Sequence, residues 1–394
     1  MTDFRAAADA VLNDAVSHAG GVPGVVAMVT NRDGEVYTGS GGQRVLGGEA
    51  AMSPDSVMLL ASCTKAVTGV AVMQLVEEGA ISLNDAAKDY VPEIADIQVL
   101  EGLSDSGEAK LRPPKSDVTV EQLLLHTAGF GYEFLNADLL KYRVANECAP
   151  TLGGTFEALQ DVLLFDPGTR WEYGTNIDWA GKVAEAARGK RLGEIFAEHI
   201  FAPLDIKDIA FSMADNMKER LATVHQRNPD GQLVPNPDLV LPQDAQMDMG
   251  GHALYGTVPE YIKFIRMLLN DGDGPNGRVL KPETVNQLSQ NGLGDLKVGA
   301  FPAAIPEFIN AGEMFPGLSK SWAYTFLVND EDAPTGRPAG SLAWAGIANT
   351  FYWIDRKNGV GGMWSSQIMP FIDIAAYPGY LEFESTVYRH LGEL

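Results

Sequence analysis

The chain is poor in cysteine and in positive charge. Two cysteines, Cys63 and Cys148, in 394 residues are too few for a disulfide framework or a cysteine-rich metal site. Lysine and arginine total 29 against 52 aspartate and glutamate residues, so the formal net charge is −23. This balance repels phosphate backbones and anionic lipid, so we expect neither nucleic acid nor a membrane surface as a partner. With 45% apolar residues, the composition is otherwise that of a folded protein of the soluble class.

The sequence also lacks a long uninterrupted apolar run. The most apolar region, residues 57–76, is broken by Ser62, Thr64, Lys65 and Thr68, so it predicts a buried helix and not a membrane span. The first residues contain no basic segment followed by an apolar run. We therefore expect no signal peptide and a cytoplasmic location. Composition does not distinguish a monomer from a dimer.

Several common catalytic signatures are missing. There is no Gly-x-Ser-x-Gly nucleophile elbow, no His-Glu-x-x-His zinc helix and no pair of histidines with metal-ligand spacing, so we expect no metal and no cofactor. Residues 272–277 match Gly-x-Gly-x-x-Gly, but they follow a predicted helix and contain a proline, which favours a turn. A capping-box pattern at Thr119 opens a short helix that His126 closes, and we interpret His126 as structural. A Ser-His-Asp triad stays open, because triads assemble from distant positions.

Periodicity predicts strands near both ends of the chain and helices in its middle. The predicted strands are residues 25–30, 35–39, 340–344, 349–355 and 360–369. The predicted helices are residues 3–18, 62–78, 179–188, 192–200, 259–270 and 380–391, with loops at 101–116 and 314–320.

This order of elements predicts an α/β fold of the α+β type, with one antiparallel sheet built from both chain ends and flanked by helices. We predict a discontinuous sheet domain of residues 1–60 and 291–394. Residues 61–290 are predicted to form an inserted, mostly helical domain. The active site is expected between the two.

Ser62 and Lys65 form the one Ser-x-x-Lys of the chain. Residues three apart on a helix share a face, so the amine lies within reach of the hydroxyl. A serine hydroxyl is a weak nucleophile until a base takes its proton, and burial can keep a lysine neutral enough to be that base. Because chance supplies about one such match in a chain of this length, the motif alone decides nothing. Cys63, next to it, is interpreted as a small core residue.

Two further elements follow along the chain. Tyr173 comes after a Pro-Gly turn at residues 167–168, and by its own pattern it predicts a packed aromatic residue. Trp344, Ala345 and Gly346 end a predicted strand. Gly346 there is either a residue that lets another molecule approach the backbone or a plain edge-strand glycine.

Taken in this order, the elements resemble the serine β-lactamase and penicillin-binding-protein superfamily. Within it, the chain is most similar to the class C-like carboxylesterases of family VIII. Beyond the Ser-x-x-Lys, the resemblance includes residues 123–129, 167–173, 200–205 and 249–254, so it covers nearly the whole chain.

The resemblance implies an acyl-enzyme on Ser62, with Lys65 and Tyr173 as one proton-transfer unit. Whether the base is the neutral lysine or a tyrosinate stays open, because the pair titrates together. The backbone N–H groups of Ser62 and Ile347 are implied as the oxyanion hole. The usual Tyr-x-Asn or Tyr-x-Ser element is changed to Tyr173-Gly174-Thr175, and the next residue, Asn176, is the candidate replacement.

A second departure bears on the substrate. Trp344 stands where β-lactamases have the lysine that helps to hold the drug carboxylate, and an indole has no charge to pair with it. We therefore predict a serine carboxylesterase acting on short- to medium-chain esters, with a small-molecule ester as its partner. A β-lactamase or D,D-peptidase, an acyltransferase and a non-catalytic binding module of the same fold are the alternatives. The residues predicted to bind substrate are Trp344, Gly346, Phe130 and Tyr132, with Phe134 and Trp322 also near the pocket.

Overall fold

The computed structural model describes residues 3–104 and 107–394. Its α-helices are α1 (Phe4–Ser17), α2 (Thr64–Glu77), α3 (Val120–Leu124), α4 (Ala137–Ala145), α5 (Asn176–Arg188), α6 (Leu192–Phe196), α7 (Ala202–Leu204), α8 (Asp215–Lys218), α9 (Val258–Leu269), α10 (Pro282–Leu288) and α11 (Ala376–Arg389). Short 3₁₀ turns cover Ala61–Cys63, Ala87–Asp89, Pro92–Asp96, Thr151–Gly153, Phe156–Leu159 and Leu391–Glu393, and a π-helical turn covers Ala197–Phe201.

The strands pair mostly antiparallel. They are β1 (Gly24–Asn31), β2 (Glu35–Gly42), β3 (Met58–Leu59), β4 (Val99–Leu103), β5 (Ala109–Arg112), β6 (Ile209–Ala210), β7 (Val224–Arg227), β8 (Leu233–Asn236), β9 (Tyr255–Gly256), β10 (Asp273–Gly274), β11 (Gly277–Arg278), β12 (Lys320–Trp322), β13 (Leu327–Asn329), β14 (Leu342–Gly346), β15 (Thr350–Asp355), β16 (Val360–Ser365) and β17 (Ile368–Met369). The largest sheet has seven strands in the order β12-β13-β14-β15-β16-β1-β2.

This seven-stranded sheet joins the two ends of the chain, because β1 from the N-terminal part pairs with β16 from the C-terminal part. Strands β14, β15 and β16 are buried along their whole length, as expected when helices cover both faces of a sheet. Helices α1 and α11 pack together at the sheet, and α9 packs against β1, β15 and β16. The predicted antiparallel sheet flanked by helices is confirmed.

Helix α2 carries the second half of the Ser-x-x-Lys motif through the interior. Every residue from Thr64 to Leu75 is buried, and the helix packs against α5. A helix that is apolar on all sides belongs in a protein core. Among the described residues, none of the helices combines the length and apolarity that crossing a membrane requires.

Three predicted elements differ from the structure. Residues 101–116, predicted as a loop, contribute to the β4–β5 hairpin. The strand predicted at 360–369 is divided at Gln367, whose φ of 53° turns the chain so that β17 pairs with β7 in another sheet. The helix predicted from Ser62 begins as the 3₁₀ turn Ala61–Cys63 before α2. The division into domains at residues 60 and 290 stays a prediction, and α9, from within the predicted helical domain, packs on the sheet.

Candidate active site

Ser62 lies in a tight turn that the surrounding backbone holds in place. The preceding residue, Ala61, has a φ of 45°, a left-handed conformation that costs a non-glycine residue about 1 kcal/mol. The hydroxyl of Thr64 donates to the carbonyl of Ala61 at 2.7 Å and accepts from the backbone N–H of Leu254 at 3.1 Å. The Tyr261 hydroxyl donates to the carbonyl of Cys63 at 2.8 Å. The turn therefore fixes the serine against the core.

Lys65 is fully buried and has three hydrogen-bond partners. Its Nζ lies 3.1 Å from Oγ of Ser62, 3.1 Å from the hydroxyl of Tyr132 and 2.6 Å from the carbonyl oxygen of Gly251. It also lies 4.7 Å from the ring centroid of Tyr173. The predicted approach of amine to hydroxyl is thus present.

Burial lowers the pKa of Lys65 to about 7, against the opposing negative charge of Asp178. A large share of the molecules then holds a neutral amine near neutral pH. A neutral amine has two N–H donors and one lone pair, which matches the three partners. The carbonyl of Gly251 and the hydroxyl of Tyr132 accept the two hydrogens, and the lone pair is left for the proton of Ser62.

The Tyr173 hydroxyl lies between the serine and the sheet. It accepts a hydrogen bond from Nε1 of Trp344 at 3.0 Å and is hydrogen-bonded to Ser62. Burial raises the pKa of Tyr173, while the hydrogen bonds from Ser62 and Trp344 oppose that rise. Because the lysine pKa falls and the tyrosine pKa rises, the pair favours a neutral amine with a neutral phenol over an ammonium with a tyrosinate. Sequence reasoning missed the indole hydrogen bond.

His126 positions the tyrosine segment. Its ring centroid lies 4.8 Å from that of Tyr173, and its Nδ1 accepts from the side chain of Asn176 at 3.0 Å and the backbone N–H of Gly174 at 3.4 Å. A Cβ on Gly174 would lie 2.2 Å from the carbonyl oxygen of Phe130, so glycine is required there. Asn176 thus holds His126, and within the described residues it is not placed against Lys65 or Ser62 by any hydrogen bond.

Gly346 allows another group to approach the backbone of β14 closely, and that group is a backbone carbonyl of the same chain. A Cβ on Gly346 would lie 2.4 Å from the carbonyl oxygen of Leu60, which belongs to the segment entering the Ser62 turn. The glycine therefore lets the end of β14 pack against that turn. As a consequence Ile347, the next residue, lies beside Ser62 in the walls of two cavities.

Both cavities open at Ser62, and their walls are almost entirely apolar. The first is lined by Ser62, Phe134, Leu135, Tyr173, Phe301, Ile309, Trp344, Ala345, Ile347 and Phe371. The second is lined by Leu59, Ala61, Ser62, Tyr132, Phe134, Leu152, Leu239, Leu241, His252, Phe308, Ile347 and Met369.

The structure separates the aromatic residues predicted near the pocket into two groups. Phe134, Tyr132 and Trp344 line the cavities. Phe130 is not part of either wall: it is fully buried and stacks on Trp179 at 5.7 Å, because the core needs its ring. Trp322 is also fully buried, behind Trp344 at a centroid distance of 4.5 Å. The contact of Phe130 with substrate stays a prediction, and the two cavity walls do not support it.

Sequence reasoning also missed the residues that hold Lys65 from the far side. The backbone N–H of Gly251, whose carbonyl accepts from Lys65, donates to Oδ1 of the fully buried Asp178 at 2.8 Å. A Cβ on Gly251 would lie 2.3 Å from that carboxylate. Residues 249–254 resemble the family, so the two adjacent glycines of this segment are the sequence signal that could have indicated the contact with Lys65. Among residues 3–104 and 107–394, no group of three or more His, Cys, Asp or Glu side chains is arranged to hold a metal ion.

A sequence profile of the family described as Beta-lactamase matches residues 9–385. The chain belongs to the Beta-lactamase family. The β-lactamase-like resemblance and fold predicted from the sequence are thereby confirmed.

Proteins similar to this chain match nearly all of its length. Monacolin J acid methylbutanoyltransferase of Aspergillus terreus is 29% identical over 382 residues, which span 93% of this chain and 92% of the relative. Lovastatin esterase of Penicillium rubens is 31% identical over 389 residues, spanning 94% and 93%. The solved structure of a mutant simvastatin synthase from Aspergillus terreus superposes with a TM-score of 0.86 at 28% identity and covers 98% of this chain and 97% of that one. The relatives thus include both acyltransferases and an esterase.

Proposed function

We propose that the protein is a serine carboxylesterase that cleaves short- to medium-chain esters through an acyl-enzyme on Ser62. The observation that carries the proposal is the place of Ser62, which contacts a buried amine with a pKa of about 7 and lies where two apolar cavities meet. An ester has two arms, and each cavity accepts one. The esterase among the relatives is consistent with this activity.

In the acylation step, Oγ of Ser62 forms a bond to the ester carbonyl carbon while its proton passes to Nζ of Lys65. The backbone N–H groups of Ser62 and Ile347 hold the oxyanion. As the intermediate collapses, the bond to the alcohol oxygen breaks, and that oxygen takes the proton from Lys65 by way of the Tyr173 hydroxyl. The neutral lysine is restored.

In the deacylation step, a water molecule gives one proton to the same Lys65–Tyr173 pair and attacks the acyl carbon. The bond from the acyl carbon to Ser62 Oγ then breaks. The serine oxygen recovers the proton from the pair, and the carboxylic acid leaves.

Esters fit the walls better than lactams. Neither cavity has a lysine or arginine among its lining residues, so an anionic lactam would find no cation to pair with its carboxylate. Burying an unpaired charge is costly. The indole of Trp344, where β-lactamases have lysine, instead donates to Tyr173.

Acyl transfer to an alcohol is the second candidate. Water finds few side-chain partners in walls this apolar, whereas an apolar alcohol buries its surface there. Acyltransferases among the relatives support the same candidate. The chemistry on Ser62 is unchanged, and only the acceptor differs.

Product analysis tests the proposed function. The protein is incubated with p-nitrophenyl butyrate, with a chromogenic cephalosporin, and with the ester plus 1-hexanol. We expect ester turnover at least about 100-fold faster than lactam turnover, with butyrate as the main product. Faster lactam turnover contradicts the esterase proposal. Hexyl butyrate as the main product, with butyrate minor, selects acyl transfer over hydrolysis.

The pH dependence follows from Lys65. Below a pH of about 7 the amine is protonated and cannot accept the serine proton, so kcat/KM for p-nitrophenyl butyrate should rise with pH, with an apparent pKa of about 7, and then level off. Initial rates measured across this range check the expectation, with circular dichroism at each pH as a control for unfolding. A flat profile, or one that falls with rising pH, contradicts a neutral-lysine base.

Replacing Trp344 by phenylalanine should lower kcat/KM about 10- to 100-fold. The substitution keeps an aromatic ring but removes the N–H that donates to the Tyr173 oxygen, where negative charge grows as the proton moves. Trp322→Phe is the matched control, because its Nε1 donates to the carbonyl of Leu124 and not to the tyrosine. Equal losses in the two variants would show that packing, and not the hydrogen bond, matters.

A further inference from the structure

His252 is a buried histidine whose ring nitrogens lack hydrogen-bond partners. The side chain is 5% exposed and forms part of the wall of the second cavity, together with Ser62. Within the described parts of the chain, neither Nδ1 nor Nε2 makes a hydrogen bond. Buried polar groups normally have a partner. A buried histidine without one, in the wall of a cavity that opens at the candidate nucleophile, is suited to a group on the ligand.

The carboxylate of Asp178 determines which ring nitrogen of His252 is free to accept a hydrogen bond. Its Oδ1 lies 3.5 Å from Nδ1 of His252 and is fixed by the backbone N–H of Gly251. A negative charge beside Nδ1 favours the tautomer with the proton on Nδ1. Burial lowers the pKa of His252, so the ring is neutral at neutral pH. Nε2 therefore carries a lone pair that can accept a hydrogen bond.

The other polar side chains of the second cavity are already committed. Its wall has three of them: Ser62, Tyr132 and His252. Ser62 is acylated during turnover, and the hydroxyl of Tyr132 accepts from Lys65. Among the side chains that line this cavity, His252 is thus the acceptor that has no hydrogen-bond partner in the described residues. The rest of the wall is aliphatic or aromatic.

We propose, resting on the proposed function, that the second cavity binds an apolar arm of the ester that carries a hydroxyl group, and that this hydroxyl donates to Nε2 of His252. The hydroxyl belongs either to the alcohol arm or to the acyl arm. Both sources supply the same donor, and substrates with the hydroxyl on one arm at a time distinguish them. His252 then determines substrate specificity.

The test uses pairs of esters that differ only by a hydroxyl in place of a methyl group. On the alcohol arm, 3-hydroxybutyl butyrate is compared with 3-methylbutyl butyrate. On the acyl arm, propyl 3-hydroxybutanoate is compared with propyl 3-methylbutanoate. Equivalent pairs place the substituent one carbon nearer and one carbon farther. For each pair, the ratio of kcat/KM values is measured in the wild type, in His252→Leu and in His252→Gln.

For at least one pair, we expect the hydroxyl-to-methyl ratio to fall about 10-fold from the wild type to His252→Leu. His252→Gln, whose amide oxygen still accepts a hydrogen bond, should recover part of the ratio. If every pair gives the same ratio in the wild type and in His252→Leu, the inference is wrong. If a variant does not fold, a wild-type preference for the methyl member in every pair overturns it by itself.

Failure of the proposed function has a different signature. If Ser62 is not acylated and no ester is turned over, the proposed function and the inference about the second cavity are both wrong. If esters are cleaved at Ser62 but the ratios do not depend on His252, only the inference about the second cavity falls.

Discussion

Ser62→Ala should lower kcat/KM for p-nitrophenyl butyrate by at least about 10⁴-fold. The substitution removes the atom that forms the acyl-enzyme, and the neutral amine of Lys65 is then left without a proton to take from the enzyme. The side chain is small and makes no contact that the turn needs, since the backbone of the turn is held through Thr64 and Tyr261. We therefore expect the free energy of unfolding to change by less than about 1 kcal/mol.

Cys63→Ala is the matched control for this variant. Cys63 is adjacent to Ser62 but fully buried, and burial raises the pKa of its thiol, so it is a poor nucleophile. We expect the control to keep its activity within a few-fold of the wild type. Initial rates of both variants, with unfolding followed by circular dichroism, check the prediction. A Ser62→Ala variant with more than about a tenth of the wild-type rate would rule out Ser62 as nucleophile.

Lys65→Met should lower kcat/KM by at least about 10³-fold and should also change how stability depends on pH. Methionine fills the same space but has no basic nitrogen. Lys320→Met is a control for activity, because Lys320 is also a buried lysine but pairs with Glu313 outside the candidate site. The control should retain most of its activity under conditions in which it is folded.

The sign of the stability effect follows from proton binding. The folded state of the wild type loses the Lys65 proton at a pH of about 7, whereas an unfolded lysine keeps its proton up to a pH of about 10.4. Between these values the unfolded state binds more protons, so the free energy of unfolding of the wild type rises with pH relative to Lys65→Met. Between pH 7 and pH 10, the free energy of unfolding of the wild type should rise by about 3 to 4 kcal/mol more than that of Lys65→Met. Denaturant unfolding of both proteins at both pH values measures this effect. A difference in free energy of unfolding that is the same at pH 7 and pH 10 contradicts a lowered pKa of Lys65.

Local patterns in the sequence predicted much of the fold and part of the candidate site. Short strand-like segments bounded by turn residues predicted β1, β2 and β15, because a strand and the turn that ends it are both local features. The spacing of Ser62 and Lys65 predicted their proximity, and it holds at 3.1 Å even though Ser62 lies in a 3₁₀ turn. Over three residues, an α-helical turn and a 3₁₀ turn place the first and last side chains in similar relative positions.

The sequence did not predict features that depend on partners far along the chain. The indole of Trp344 and the hydroxyl of Tyr173 are 171 residues apart, and the contact exists because β14 ends beside the tyrosine segment. Gly346 is explained by a clash with the carbonyl of Leu60, which no local pattern reveals. The β4–β5 hairpin was missed because its strands are short, only partly buried and contain charged residues, which is typical of a loop.

The most direct test of the account is the mass of the protein during turnover. The wild type is mixed with excess p-nitrophenyl butyrate, quenched with acid within milliseconds to seconds and analysed by intact mass and peptide mapping. The account predicts a single butyryl group on the peptide that contains Ser62, and none on that peptide in Ser62→Ala. A butyryl group on another residue of the wild type, with none on the peptide that contains Ser62, would contradict an acyl-enzyme at this serine.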